Sequence, residues 1–199
     1  MSVATSTTLL KHSFQRRRVR PLKATSAQAT IRPLGEPGDL GWVVMAHGQV
    51  YEREFGWNTD FEALVARIVA DYAGAHDPDR DAAWIAELNG RRAGCIFCLA
   101  DPQDPTTARL RILLVHPDAR RHGLGGQLVD TCLAFARAAR YQRIRLWTNH
   151  PLQAARHIYL TRGFTLTDEQ PHHSFGVDLI GQTYELDLNY GRAARHEDP

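Results

Sequence analysis

The sequence predicts one α/β domain whose elements run β-α-α-β-β-β-α-β-α-β-β. Three observations carry this. Residues 113–126 (LLVHPDARRHGLGG) join an apolar strand to a basic, glycine-rich turn that opens straight into an amphipathic helix. Asn89-Gly90 stands between two apolar runs, the strongest short hairpin signal. Apolar stripes at steps of three and four recur between the strand-like runs. A chain of 199 residues with 43% apolar content is long enough for one core of ordinary size.

Taken in order, Ala29 to Pro33 reads as a first strand at an edge. Asp39 to Phe55 reads as a helix with Leu40, Val43, Val44 and His47 on one face, Asp39 as its cap, and Gly48 weakening it. Phe61 to Tyr72 is a stronger helix, striped by Phe61, Leu64, Val65, Ile68 and Tyr72 and started by Thr59 or Asp60. Trp84 to Leu88 and Arg91 to Leu99 form the Asn-Gly hairpin, and Asp101 to Pro105 is a loop. Ala108 to Val115 is the strand that feeds the glycine turn. The helix after the turn carries Leu124, Leu128, Cys132, Phe135 and Ala139 on one stripe. Ile144 to Thr148 is strand-like. Asn149-His150-Pro151 reads as a helix start, with proline tolerated in the first turn. Leu152, Ala155, Ile158 and Tyr159 mark that helix's buried face, and Gly163 ends it with Phe164 packing back. Phe164 to Glu169 and Gln182 to Leu188 are the last strands, bridged by Gln170 to Gly181.

Charge is unevenly spread. Residues 1–35 hold seven of the 24 Lys and Arg and none of the 22 Asp and Glu, so a mildly acidic body follows a basic start. Residues 1–28 are expected to be a basic, disordered tail, 29–188 the folded domain, and 189–199 a polar C-terminal tail. The tail is the sole argument for a nucleic-acid partner, and a transit peptide shares its composition. No run approaches the ~20 apolar residues of a membrane span. Cys95 and Cys98 form a C-x-x-C on a strand, where positions i and i+3 face opposite sides, so they are read as buried apolar residues in a reducing cytoplasm. His116, His122, His150 and His157 match no metal-ligand spacing, and no metal is expected.

The glycine turn is an anion site in outline. Backbone N–H groups converge at a helix N-terminus, and the missing Cβ atoms admit a phosphate. It has neither the Gly-Lys-Ser/Thr of a Walker loop nor the G-x-G-x-x-G spacing of a dinucleotide site. Arg120, Gly123 and Gly125 spell Arg-x-x-Gly-x-Gly, which resembles the pyrophosphate loop of the GNAT superfamily of acyl-CoA-dependent N-acyltransferases. Tyr159-Leu160-Thr161-Arg162-Gly163-Phe164 resembles the Tyr-x-x-x-Gly-Phe signature of the same superfamily, in the right order and separation. A closer resemblance is to the acetyltransferase half of bacterial MarR–GNAT fusion proteins. It is carried by Gly41-Trp42-Val43-Val44, Tyr51-x-x-Glu54-Phe55-Gly56-Trp57, Trp147-Thr148-Asn149 and Pro171-His172-His173-Ser174-Phe175-Gly176. The residues ahead of the domain are too few for the winged helix of those fusions, so no DNA-linked role is carried over.

The resemblance implies a GNAT fold: a mixed, mostly antiparallel sheet of about seven strands, splayed between the fourth and fifth, with about four flanking helices. It implies acetyl-CoA as cosubstrate and a primary amine of a small molecule or protein as acceptor, often with a homodimeric enzyme. Leu113, Leu114 and Val115 would pair with the pantetheine, and a backbone N–H near Val115 would receive the developing oxyanion. Arg120, Arg121, His122, Gly123, Leu124, Gly125 and Gly126 would hold the pyrophosphate. Tyr159 would be the general acid for the departing thiolate. Many relatives carry an Asn where Leu152 stands, and Asn149 is expected to take over its contact.

The general base stays open. Many relatives carry a Glu on the strand before the loop, but here that strand reads Arg109-Leu110-Arg111-Ile112-Leu113-Leu114. Glu54, Glu87, His172 and His173 are the alternatives, with only one of the two adjacent histidines expected to face inward. Trp42, Tyr51, Trp57 and Phe175 suggest an aromatic wall suited to an aromatic or cationic acceptor, or core. The competing reading is an acyl-CoA-binding regulatory module with little or no turnover.

Overall fold

The computed structural model describes residues 28–189. The expectations for the two tails fall almost wholly outside that range. The elements are β1 (Ala29–Pro33), α1 (Asp39–Phe55), α2 (Thr59–Ala75), β2 (Ala82–Leu88), β3 (Arg91–Ala100), β4 (Thr107–Val115), α3 (Leu124–Ala138), β5 (Arg143–Asn149), α4 (Gln153–Leu160), β6 (Thr165–Ser174) and β7 (Val177–Asp187). One seven-stranded sheet has the order β1-β2-β3-β4-β5-β7-β6. Every pairing is antiparallel except β4 with β5. The sheet, its splay and the four helices match the expected fold.

Alternation along the central strands divides the core in two. Cys95 and Phe97 face α1 and α2, packing with Val43, Val50, Val65, Val69, Ile85 and Leu114. Ile96 and Cys98 face α3 and α4, packing with Leu128, Val129, Cys132, Ile144, Tyr159 and Phe164. The period-two pattern therefore sends the two C-x-x-C thiols to opposite cores.

Two features of β4 make the site. Its parallel ladder with β5 ends at Leu110–Leu146, although β4 continues to Val115 and β5 to Asn149. Against β3, it carries one residue more between the pairs Cys95–Leu114 and Phe97–Arg111. Ile112 at this bulge has φ +43°, a left-handed conformation that a β-branched residue rarely adopts. Strain of this kind costs on the order of 1–3 kcal/mol and clusters at functional sites.

Several local expectations need correction. The Asp39 side chain does not cap α1 from outside. Gly38 holds the N-cap position, and the buried Asp39 carboxylate accepts from the Gly35 and Glu36 N–H groups and from Arg32 and Arg92. Asn58, rather than Thr59 or Asp60, caps α2 by accepting from the Asp60 N–H. Asn149 ends β5 instead of starting α4, which begins at Gln153 after Pro151 has closed a turn. The expected bridge from Gln170 to Gly181 is a hairpin of long strands, turned by Phe175 (φ +57°) and Gly176 (φ +82°). A two-residue turn with both φ positive suits the twist of a hairpin. Pro171 is tolerated because β6 is the edge strand.

Candidate functional site

Two adjacent cavities that share a wall open where β4 and β5 part. The outer one, about 680 Å³, lies between the C-terminal half of β4, the glycine turn, the end of α1 and one face of α4. Leu113, Leu114, Val115, Arg120, Arg121 and Gly123 to Gly126 all line it. Gly123 (φ +74°) and Arg121 (φ +67°) turn the chain so that α3 starts facing the cavity. Among the described residues, the N–H groups of 121–126 find no acceptor. Six unsatisfied donors at a helix N-terminus form a seat for a phosphate-sized anion. Gly125 has a second constraint, because a Cβ there would meet Ile158 Cδ1 at 2.8 Å.

The inner cavity, about 90 Å³, runs through the splay and shares Tyr51, Leu113, Leu152 and Ala155 with the outer one. Tyr159 and Asn149 line it. Tyr159 is 4% exposed, packed against Phe164 and Tyr184. Its hydroxyl makes no hydrogen bond within the described residues and is not sealed from solvent. Burial, aided by the neighbouring Tyr51, pushes this phenol far above its ordinary pKa, so it holds its proton.

The four base candidates are placed very differently. Glu54 stands on the wall of the outer cavity, with Oε2 accepting from Arg120 at 2.8 Å. Glu87 lies outside both cavities, taking the Arg32 Nε–H at 2.8 Å in the ion cluster around Asp39. The two histidines point opposite ways, as alternation requires. His173 is exposed and paired with exposed Asp178. His172 turns inward against Trp147, where Nε2–H donates to Asn149 Oδ1 and Nδ1 accepts the Ser174 hydroxyl, both at 2.9 Å. Both ring nitrogens of His172 are thus in use, and Asn149 is held by the β6–β7 hairpin. His122 is not among the residues lining the outer cavity.

Sequence reasoning missed His47, which it took as part of the apolar face of α1. The ring is 1% exposed, stacked on Tyr51 at 5.7 Å, and lines the inner cavity. Nδ1 donates to the Val43 carbonyl at 2.8 Å, which leaves Nε2 as a bare lone pair with no partner. Desolvation lowers its pKa to about 4, so the ring is neutral at physiological pH. The available signal was a histidine inside an apolar stripe with an aromatic four residues on.

Of the expected aromatic wall, Tyr51 and Trp57 line the inner cavity together with Phe61, whereas Phe175 and Trp42 do not line it. Tyr51, Trp57, Phe61 and Phe175 form one cluster with centroids 4.5 to 5.1 Å apart along its contacts. Trp42 packs on the same α1–α2 core as Tyr51 and Phe61 but makes no ring contact with this cluster, among the described residues. Among the described residues no group of three or more His, Cys, Asp or Glu side chains could hold a metal, and no helix is long and apolar enough to cross a membrane.

Comparison with known proteins fits this geometry. The model of the acetyltransferase (GNAT) family matches residues 45–164. The chain is 36% identical over 90 residues to N-acetyltransferase family 8 member 3 of Rattus norvegicus, covering 43% of this chain and 39% of that protein. It is 34% identical over 86 residues to the mycothiol acetyltransferase of Streptomyces griseus, covering 43% of this chain and 26% of that protein. The chain thus spans well under half of these two relatives. Among solved structures, a putative acetyltransferase of Salmonella typhimurium with its cofactor acetyl-CoA superposes with a TM-score of 0.64 at 20% identity, over 86% of this chain and 97% of that one.

Proposed function

The chain belongs to the acetyltransferase (GNAT) family, and from that premise we propose that it transfers acetyl from acetyl-CoA to a primary amine of a small molecule or protein. Transfer is by direct attack within a ternary complex. The observation that carries this reading is the adjacency of the two cavities across Tyr51, Leu113, Leu152 and Ala155. An anion seat of six free N–H groups leads along an unpaired strand edge to a buried phenol.

Acetyl-CoA supplies the activated acyl group as a thioester. Residues 121–126 hold its pyrophosphate through backbone N–H groups, with Arg121 adding charge and Arg120, whose charge Glu54 offsets at 2.8 Å, lining the same wall. The free edge of Leu113 to Val115 pairs with its amide-bearing arm as an added strand would. Tyr159, the expected general acid, donates a hydrogen bond from its hydroxyl to the departing sulfur and keeps its own proton, while the proton the amine releases balances the thiolate. Asn149, fixed by His172, lines the same cavity as Tyr159 and offers its amide N–H groups to the bound arm.

His47 is the proton acceptor this reading prefers over Glu54, Glu87, His172 and His173. His47 lines the inner cavity, and its Nε2, which solvent does not reach here, has no partner among the described residues, so on this reading the wall at His47 gives way slightly as the acceptor enters. A neutral imidazole accepts a hydrogen bond from an amine N–H. The attacking nitrogen grows far more acidic as it bonds to carbon, so a weak base suffices where it is well placed.

The reading includes a cytoplasmic setting, which three free, buried cysteines support. It also includes the closer kinship with the acetyltransferase half of MarR–GNAT fusions, on the motifs quoted above.

The test is acetyl-CoA binding by calorimetry beside Gly125→Glu, followed by thiol release with a panel of amines. Saturable one-to-one binding lost in the variant, with turnover on an amine, is expected. Binding without turnover on any amine would favour a regulatory acyl-CoA module, and no binding to folded protein would sink both readings.

A further inference from the structure

A third cavity, about 370 Å³, lies beside the inner one, between β4, β5 and the loop at Asp101 to Gln103. Leu110, Arg111 and Trp147 line both, so the two share a wall. Three arginines face this third cavity: Arg109, Arg111 and Arg145. Arg145 is neutralised by Glu185 Oε1 at 2.6 Å and Asp101 Oδ2 at 3.5 Å. Arg109 and Arg111 contact no carboxylate, and neither donates a hydrogen bond, among the described residues.

The pairing is costly. Residues two apart on a strand point to the same face, so the two guanidinium groups neighbour each other. Arg111 is half-buried. Burial and then the charge of Arg109 lower its pKa to about 10, which still leaves it a cation at neutral pH. A partly desolvated cation beside a like charge with no counter-ion destabilises the fold unless something anionic arrives. The guanidinium fork suits a carboxylate or phosphate, which it can grip with two parallel N–H bonds. Trp147, half exposed, adds an apolar wall beside it.

On the acyltransfer reading above, we propose that this cavity is the acceptor's anion subsite. Arg111, with Arg109 beside it, binds the carboxylate or phosphate of an amine acceptor whose amino group lies toward His47. The acceptor is therefore an acidic amine rather than a simple alkylamine or polyamine.

The experiment uses the full chain at saturating acetyl-CoA and matched amine sets. One set is phenylalanine against phenethylamine, another O-phosphoethanolamine against ethanolamine. Higher kcat/KM for an acid-bearing member, by about tenfold or more, is expected, and which set shows it separates carboxylate from phosphate. Arg111→Gln should raise KM for that member at least tenfold while its melting temperature holds or rises. Arg111→Lys, which keeps the charge without the fork, should fall between. Equal use of neutral and acidic amines would overturn the proposal, as would Arg111→Gln lowering the melting temperature with KM unchanged. If no amine reacts, the acyltransfer reading fails, and the subsite is judged by stability alone. Sodium acetate and sodium phosphate, against sodium chloride at equal ionic strength, should then raise the melting temperature of the wild type but less that of Arg111→Gln. No such difference would overturn the subsite as well.

Discussion

The Nδ1–H of His47 donates to the Val43 carbonyl at 2.8 Å, one helical turn back, and this bond decides what His47 presents to the cavity. With the proton committed to the helix, Nε2 offers a lone pair and nothing else. On the proposed role, His47→Phe, which keeps a ring but removes the acceptor, lowers kcat on the order of 100-fold. Its acetyl-CoA affinity, read by calorimetry, stays within a factor of two or so of the wild type.

The same burial makes the fold sensitive to moderate acid. His47 has a folded pKa of about 4 against 6.5 for the free side chain. A depressed folded pKa means the unfolded chain takes up the proton first. Stability is therefore full above about pH 6.5 and declines as pH falls toward 4. The loss is on the order of 3 kcal/mol. Urea unfolding across this range should show that decline in the wild type and much less of it in His47→Phe.

Tyr159 is tested at the other end of the reaction. Tyr159→Phe removes the hydroxyl and leaves the packing against Phe164 and Tyr184. We expect kcat to fall by about 100-fold or more with the KM for acetyl-CoA little changed. Because the phenol titrates far above neutrality, the wild-type rate should show no alkaline decline attributable to it near pH 9 to 10.

Gly125 couples the anion seat to α4. Gly125→Ala drives a methyl group into Ile158 Cδ1. It should cost at most about 1 kcal/mol of stability, since the Ile158 tip can turn aside, and weaken acetyl-CoA binding. Ile158→Val deletes that same carbon, so the double variant should recover most of the loss, a coupling that denaturant titration of all four proteins would measure.

Asp39 holds the start of α1 to the sheet. Burial raises the pKa of its carboxyl, but the bonds from Arg32, Gly35, Arg92 and Glu36 outweigh it and hold the group well below the usual carboxylate range. Its contribution is complete above about pH 4 and is lost as pH falls further, below the window set by His47. Asp39→Asn leaves two arginines facing a neutral amide and should cost about 3–5 kcal/mol at neutral pH.

Much of this was legible in the chain. The glycine turn and the apolar stripes depend on neighbours within a few residues and are legible locally, whereas the grouping of Gly123, Gly125 and Tyr159 comes from the resemblance to GNAT motifs. The inner parts of β6 and β7 are legible as strands, but their outer parts, Gln170 to Gly181, read as a bridge because Phe175-Gly176 is not a familiar turn pair and Pro171 argues against a strand. Only the position of β6 at the sheet's edge makes that proline acceptable. His47 and Arg111 were hidden for a different reason. Their meaning lies in what they lack, a partner, and that emerges only when distant elements close around them.

The ladder that stops at Leu110–Leu146 has one more consequence. Exposed strand edges usually invite other chains, and proteins cover them or blunt them with charge. Here the loose edge belongs to a central strand and lies at the bottom of a slot, walled by Tyr51 on one side and by Leu152 and Ala155 on the other. A folded sheet is too thick to reach it, while a single extended chain slides in. The walls keep this unpaired backbone from a neighbouring sheet yet leave it open to a slender guest.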